Sequence, residues 1–375
     1  MTDVRKPMMG FPVRERYPES DRRVLDGILE VLSQDVTSNG PRVAEFEARL
    51  CRMLRARHCI AVSSATSGLL LAVKATQPRG WIGVPAFGFP ATALAATWSV
   101  AKINFLDANA ATFNVSLPAF ERAVAESTQP SCMITLAVAG NLTGLKELYS
   151  LARAREIPVV VDAASCLGLT SDRLTDYGDL VVLSFSSKKA LPICEGGVVM
   201  TESDFLAQRL RSLRTYGYRV QNGFEVEHMG LNARLSEVHA AIGLSLLPES
   251  AEVISKRNSV AGALRSRLSA TSGISLQKLD DNQLGTSEIV FRVPLAVRES
   301  VMRYLRHVGI DAVPFYSPAL PFHEALQGFG SSAGTSFPQA VALSHECVGI
   351  KTFSTWSQEH IEFVATAIEA ALRLN

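Results

Sequence analysis

Between about residue 40 and residue 245 the chain alternates short apolar runs with stretches in which apolar residues recur every three or four positions. The runs "CIAVSS", "WIGVPA", "KINFLD", "SCMITLAVA", "IPVVVDAA" and "DLVVLSF" predict strands, and "PRVAEFEARLCRMLR", "TSGLLLAVKAT", "PATALAATWSV", "LPAFERAVAES" and "TGLKELYSLARARE" predict helices. Strands apolar on both faces and alternating with helices predict an α/β domain on a mostly parallel sheet. "GGVVMT" follows "DLVVLSF" too closely for a crossover helix, so it predicts an antiparallel strand in that same sheet. After about Leu246 the pattern changes. "SAEVISKRNSVAGALRSRL" predicts a long amphipathic helix, "SEIVFRVPL" a strand, "RESVMRYLRHVGI" a helix, "GFGSSAGTSFP" a loop and "SQEHIEFVATAIEAALRLN" a closing helix. The division expected is a large α/β domain over residues 1–245, including an N-terminal arm, and a smaller α+β domain over 246–375. A length of 375 residues suits two packed domains better than one core.

Composition narrows the class. Hydrophobic residues make up 47% and charged residues 19%, as in a globular protein with a large core. A net charge of +1 gives no bulk attraction for a polyanion, so no nucleic-acid partner is expected. The apolar runs fall well short of the roughly 20 residues that span a bilayer. The opening "MTDVRKPMMGFPVRERYPES" lacks the long apolar centre of a secretory signal. The six cysteines show neither a CxxC pair nor regular spacing and read as reduced thiols, and no HExxH occurs. The expectation is a cytoplasmic protein without a metal and without a membrane span.

Candidate chemistry collects where a parallel sheet places ligands, at the C-terminal ends of the strands. "SSATSG" after "CIAV" leads small hydroxylic residues into a helix, which is either a cradle for a phosphate or only an N-cap. Phe87, Gly88 and Phe89 follow "WIGVPA"; an aromatic there can stack on a flat ring or fill the core. Asp162 leaves the apolar run "IPVVV", where a carboxylate needs a cation or a hydrogen-bond network. Ser184 stands near the end of "DLVVLSF", the adjacent Lys188 and Lys189 come just after it, and either lysine could carry chemistry. Together these are the groups that pyridoxal 5'-phosphate requires: a phosphate cradle, a stacking ring, a carboxylate for the pyridine nitrogen and an amine that condenses with the aldehyde. No GxGxxG follows a strand, which leaves a nicotinamide-binding reading without support.

Six segments taken together resemble the DegT/DnrJ/EryC1/StrS family of fold-type-I pyridoxal-phosphate-dependent (sugar) aminotransferases. They are "NGPRVAEFEARL", "SSATSGLLLAVKA", "VPAFGFPAT", "VDAASCLG", "SFSSKKALPICEGG" and "GLNARLSEVHAAIGLSLL". The last three, in that order and at family-like spacing, are the specific ones. The family's lysine stands six residues before the glutamate of Glu-Gly-Gly. Counting back from Glu195 selects Lys189 over Lys188 and places Ser184 on the phosphate-binding serine.

The resemblance implies the remaining roles. Asp162 pairs with the pyridine nitrogen, Phe89 covers a ring face, and Ala65, Thr66 and Ser184 hold the phosphate. Ser165 approaches the cofactor's phenolic oxygen, and Asn232 belongs to the site of the neighbouring subunit, which implies a homodimer with a shared active site. The implied reaction is a ping-pong transfer of an amino group from glutamate or glutamine to a nucleotide-linked keto-deoxysugar or a keto-cyclitol. The alternatives are a pyridoxamine-dependent dehydratase, whose relatives replace the lysine that this chain keeps, and a non-catalytic regulator on the same fold. The chain departs from the family at Ser186 (usually histidine), Ser165 (usually glutamine or histidine), Cys194 (usually glycine) and Ala65 (usually glycine). These positions bear on the substrate more than on the cofactor.

Overall fold

The structure is a computed structural model that describes residues 15–99, 102–125, 130–219, 225–330 and 336–374. Most of the sequence-predicted N-terminal arm and the middle of the "GFGSSAGTSFP" loop lie outside the described residues. Two helices come first, α1 (Asp21–Leu32) and α2 (Pro41–Leu54). The predicted pattern begins only at α2, so α1 is an addition. The large sheet is built from β1 (His58–Val62), β2 (Trp81–Pro85), β3 (Lys102–Leu106), β4 (Cys132–Leu136), β5 (Val159–Asp162), β6 (Leu180–Ser184) and β7 (Gly197–Thr201). The helices α3 (Ala65–Ala75), α4 (Pro90–Thr97), α5 (Leu117–Ala125) and α6 (Leu145–Arg153) connect its first strands, and α7 (Asp204–Leu213) follows β7.

The seven strands run in the order β1-β7-β6-β5-β4-β2-β3. The strand pairs are parallel except that β7 lies antiparallel to both β6 and β1. The fold class read from the sequence, α/β with a mostly parallel sheet and one reversed strand, is the observed one. The strands are buried on both faces, and the core splits into two clusters, one on each side of the sheet.

A smaller antiparallel sheet, ordered β10-β11-β9-β8, is formed by β8 (Ser275–Leu276), β9 (Glu288–Arg292), β10 (Ala312–Pro314) and β11 (Cys347–Lys351). It packs with α9 (Leu295–His307), α10 (Pro338–Glu346) and α11 (Gln358–Arg373) over its own core. The strands β8, β10 and β11 and the helix α10 extend the sequence reading, which held one strand here. Between the two sheets runs α8 (Glu237–Leu268). The sequence reading starts this helix after Pro248, but the helix continues through that proline, which removes one backbone donor without ending the coil.

Two of the quoted segments meet in one structural joint. Glu237, fully buried at the start of α8, accepts from the backbone N–H groups of Gly40, Arg42 and Val43 at 2.8, 2.8 and 3.1 Å. A side-chain carboxylate thus satisfies orphan donors at the N-terminus of α2 and complements its dipole. A Cβ at Gly40 would meet the Val36 side chain at 2.5 Å and the Glu237 carboxylate at 3.2 Å. "NGP" and "RLSE" therefore specify each other's packing.

Candidate active site

The strand order brings the separated segments together. Val62, at the end of β1, and Ser184, at the end of β6, both pair with Gly197 of β7. The turn after β1 and the Ser184 hydroxyl therefore flank the same glycine. Ser64 caps α3: its hydroxyl accepts from the Ser67 N–H at 3.1 Å, and the Ser67 hydroxyl accepts from the Ser64 N–H at 3.1 Å. Ala65 and Thr66 are the first two residues of the helix, where backbone N–H groups have no intrahelical acceptor. A Cβ at position 197 would lie 2.7 Å from the Ala65 nitrogen and 2.9 Å from the Leu183 carbonyl oxygen. Glycine is thus required for β7 to lie this close to the turn. The helix start with its free N–H groups and the hydroxyl-bearing Ser184 thus lie on either side of Gly197, a chemistry that fits a phosphate dianion.

Asp162 ends β5 and is 2% exposed. Its Oδ2 accepts from the Thr92 hydroxyl at 2.6 Å and its Oδ1 from the Ala164 N–H at 3.2 Å. Burial pushes the carboxyl above its ordinary range, while the Thr92 hydroxyl, the Ala164 N–H and Lys189 pull the other way. Thr92 lies on α4 inside the quoted segment "VPAFGFPAT", so the signal for it was present, though the sequence reading assigned it no role.

The two lysines separate cleanly. Lys188 is exposed, whereas Lys189 is half-buried and donates from Nζ to the Ser165 hydroxyl at 2.6 Å. Their loop is pinned at its base, with Phe185 N–H donating to the Gly196 carbonyl and Ile193 N–H to the Phe185 carbonyl, both at 2.9 Å. Next to Lys189, the Ala190 carbonyl accepts from the Tyr17 hydroxyl at 2.6 Å. Burial lowers the Lys189 pKa, opposed by Glu288 and Asp162, while Lys351 and Arg257 lower it further. A neutral, nucleophilic amine is thereby favoured.

This shift has a measurable consequence. Between its lowered folded value and the ordinary 10.5, the unfolded chain binds a proton that the folded chain does not. Wild-type stability, measured without cofactor, should therefore rise with pH across that window relative to Lys189→Met. Parallel denaturation of both proteins from neutral pH to about pH 10 checks the sign.

Aromatic residues close one side. Phe87 is 1% exposed and packs in the core, while Phe89, at the N-cap of α4, is 52% exposed. Tyr316, from the loop after β10, contacts both, with ring centroids 5.6 Å from Phe87 and 6.1 Å from Phe89. Burial first, then Glu288 and Asp162, hold the Tyr316 hydroxyl well above its usual pKa, so it stays a neutral donor. No sequence signal pointed to Tyr316, because it enters from the second sheet. Asn232 lies on a segment that adjoins the turn after β1, where the Ser63 N–H donates to the Ala233 carbonyl at 2.9 Å and Val62 pairs with Arg234. Asn232 is exposed, pairs with Thr215 in a short antiparallel bridge and accepts from Arg234 Nε at 3.0 Å. The Arg234 guanidinium lies over the Tyr216 ring at 5.5 Å. None of the hydrogen bonds of Asn232 reaches Lys189 or Asp162 within the chain.

Cys194 explains one departure. Its φ is +74°, in the left-handed region where glycine is at ease and a Cβ is strained. The side chain is exposed. Cys194→Gly should therefore stabilise the protein by about 1 kcal/mol without altering activity, read as a shift in the denaturation midpoint.

The fold is that of an α/β enzyme, with Asp162 at the end of β5 and Lys189 in the loop that follows the neighbouring β6. Residues 18–369 match the DegT/DnrJ/EryC1/StrS aminotransferase family, and the chain belongs to it. It is an aminotransferase that takes pyridoxal phosphate as its cofactor. The chain is 28% identical over 314 residues to the UDP-4-amino-4,6-dideoxy-N-acetyl-beta-L-altrosamine transaminase of Campylobacter jejuni, covering 80% of this chain and 83% of that one. It is 25% identical over 349 residues to the dTDP-4-amino-4,6-dideoxy-D-glucose transaminase of Shigella dysenteriae, covering 91% and 93%. Among solved structures, DesI in the presence of its TDP-sugar product superposes with a TM-score of 0.84 at 26% identity, over 96% of this chain and 92% of that one. Among the described residues no helix is long and apolar enough to cross a membrane, and no cluster of three or more His, Cys, Asp or Glu could hold a metal ion.

Proposed function

We propose that the protein moves an amino group from glutamate or glutamine to the keto group of a nucleotide-linked keto-deoxysugar or a keto-cyclitol, in two separable half-reactions. The observation that carries this reading is a half-buried Lys189, held by Ser165 in the loop after β6, together with a buried Asp162, held by Thr92 at the end of the neighbouring β5. The transaminase activities of the Campylobacter and Shigella relatives support a nucleotide-sugar acceptor.

In this reading Ala65, Thr66 and Ser184 bind the cofactor phosphate, Phe89 lies against the ring, and the Asp162 anion keeps the ring nitrogen protonated. When bound, pyridoxal phosphate supplies an electrophilic carbon and an electron-withdrawing ring. Lys189 Nζ then takes the proton from the donor's α-carbon and delivers it on the same face, first as base and then as acid. Ser165 holds that nitrogen in place between the two transfers.

The site is shared between two copies in this reading, with Asn232 serving the neighbouring subunit. Its exposure supports this, as does the apolar stripe Leu25, Leu29, Leu32 and Val36, each between 47 and 67% exposed. The division into domains 1–245 and 246–375 belongs to the same reading, supported by the two separate sheets.

Incubating the cofactor-loaded protein with glutamate or glutamine alone tests it. The reading expects one equivalent of the keto acid per site, followed by amine transfer when keto-sugar nucleotides are added. Failure of every amino acid to yield a keto acid refutes it.

A further inference from the structure

The small sheet presents an ion pair to the site. Glu288 opens β9 and Lys351 closes β11, and the two are register partners. Lys351 Nζ lies 3.2 Å from Glu288 Oε1, with side chains 25% and 13% exposed. Ser287, the preceding residue, is fastened to the large domain: its N–H and hydroxyl both donate to the Ala139 carbonyl, at 2.9 and 3.1 Å, just past β4. Tyr316, from the same sheet's edge, touches Phe87 and Phe89 past β2. This end of the small sheet therefore closes over the strand ends that carry Asp162. Both members of the pair are near enough to Lys189 to act on its charge.

A partly buried ion pair contributes little net stability in such a place, because desolvation offsets its Coulomb attraction. An ammonium that keeps a quarter of its side chain exposed, beside a reactive amine, is better placed to meet an anion. An amino-acid donor brings at least one carboxylate, which needs a cation once water is excluded. Arg257, the other cation acting on Lys189, is already committed: it is buried, lies 3.5 Å from the Glu15 carboxylate and donates to the Ser287 carbonyl at 2.9 Å. Among the described residues Lys351 has one carboxylate partner, which leaves its ammonium with donor capacity for a second acceptor.

We propose that Lys351 binds the carboxylate of the amino-acid donor, and that Glu288 holds the Lys351 ammonium at the site entrance until that carboxylate arrives. The proposal rests on the aminotransferase reading and assigns a donor-recognition residue within it. The two partners should respond with opposite sign. Lys351→Met removes the cation, whereas Glu288→Gln removes its resting competitor.

The experiment is the glutamate half-reaction of the cofactor-loaded protein, followed by the change in cofactor absorbance over a range of glutamate concentrations. Thermal melting of each variant confirms that it is folded. Lys351→Met should raise the half-saturating glutamate concentration by about tenfold to a hundredfold with little change in the limiting rate. Glu288→Gln should leave that concentration unchanged or lower it. Saturation by a keto-sugar nucleotide in the second half-reaction should be unaffected by Lys351→Met. The proposal is overturned if Lys351→Met leaves glutamate saturation unchanged, if both variants weaken it alike, or if the acceptor alone is affected. If the wild-type protein itself gives no absorbance change with any amino acid, the aminotransferase reading fails instead.

Discussion

Lys189→Ala is expected to lower turnover by about 10⁴-fold, the full range attributed to a positioned acid–base group, while the protein stays folded. On the proposed function, removal of the side chain takes away both the amine that engages the cofactor and the base that moves the proton, and no described neighbour replaces it. Lys188 precedes it in sequence but is exposed, and Ser165 is left with a hydroxyl that cannot act as a base at neutral pH. Lys188→Ala, measured beside it, should be nearly silent. The burial that lowers the Lys189 pKa also makes the native amine costly to hold charged, so Lys189→Ala should melt at or above the wild-type temperature in the absence of cofactor. A loss of activity accompanied by unfolding would mean that the residue is structural instead.

Asp162→Asn is the second large effect, expected to cost about 10²–10³-fold in kcat, comparable to removing one preorganised electrostatic contact. The amide retains the shape and one acceptor but loses the anion that faces a protonated ring nitrogen. Thr92→Val separates charge from geometry. Without the hydroxyl that donates to Oδ2 at 2.6 Å, the Asp162 pKa, already raised by burial, rises further. The limb of the pH–rate profile that reports this carboxylate should then move to higher pH, with a loss at neutral pH smaller than that of Asp162→Asn. An unshifted profile in Thr92→Val would remove Asp162 from its assigned role.

The parts of the site legible in the sequence were those attached to strand ends. Asp162 and Ser184 are the last residues of their strands, and Ala65 and Thr66 open the helix that follows another, so the strand pattern brought them into view, while the role of Ser184 came from the spacing to Glu195. The choice between Lys188 and Lys189 needed spacing to Glu195, because two adjacent lysines in a loop carry no periodicity of their own. Phe87 and Phe89 look equivalent in "AFGF", yet one is buried beneath the sheet and the other exposed at a helix N-cap. Glu288, Tyr316 and Lys351 were not legible. They reach the site only because Ser287 is hydrogen-bonded to the turn after β4 and Tyr316 packs on Phe87, contacts that span well over one hundred residues. The α1 helix was missed because the apolar pattern of "DRRVLDGILEVL" leads to a face that stays largely exposed in the single chain.

The central claim is that Lys189 Nζ is the point at which the cofactor is covalently attached. Reduction of the cofactor-loaded protein with borohydride, followed by proteolysis and peptide mass spectrometry, tests it most directly. The account predicts one pyridoxyl phosphate adduct, on Lys189. An adduct on Lys188 or at any other lysine, or none at all, would contradict it.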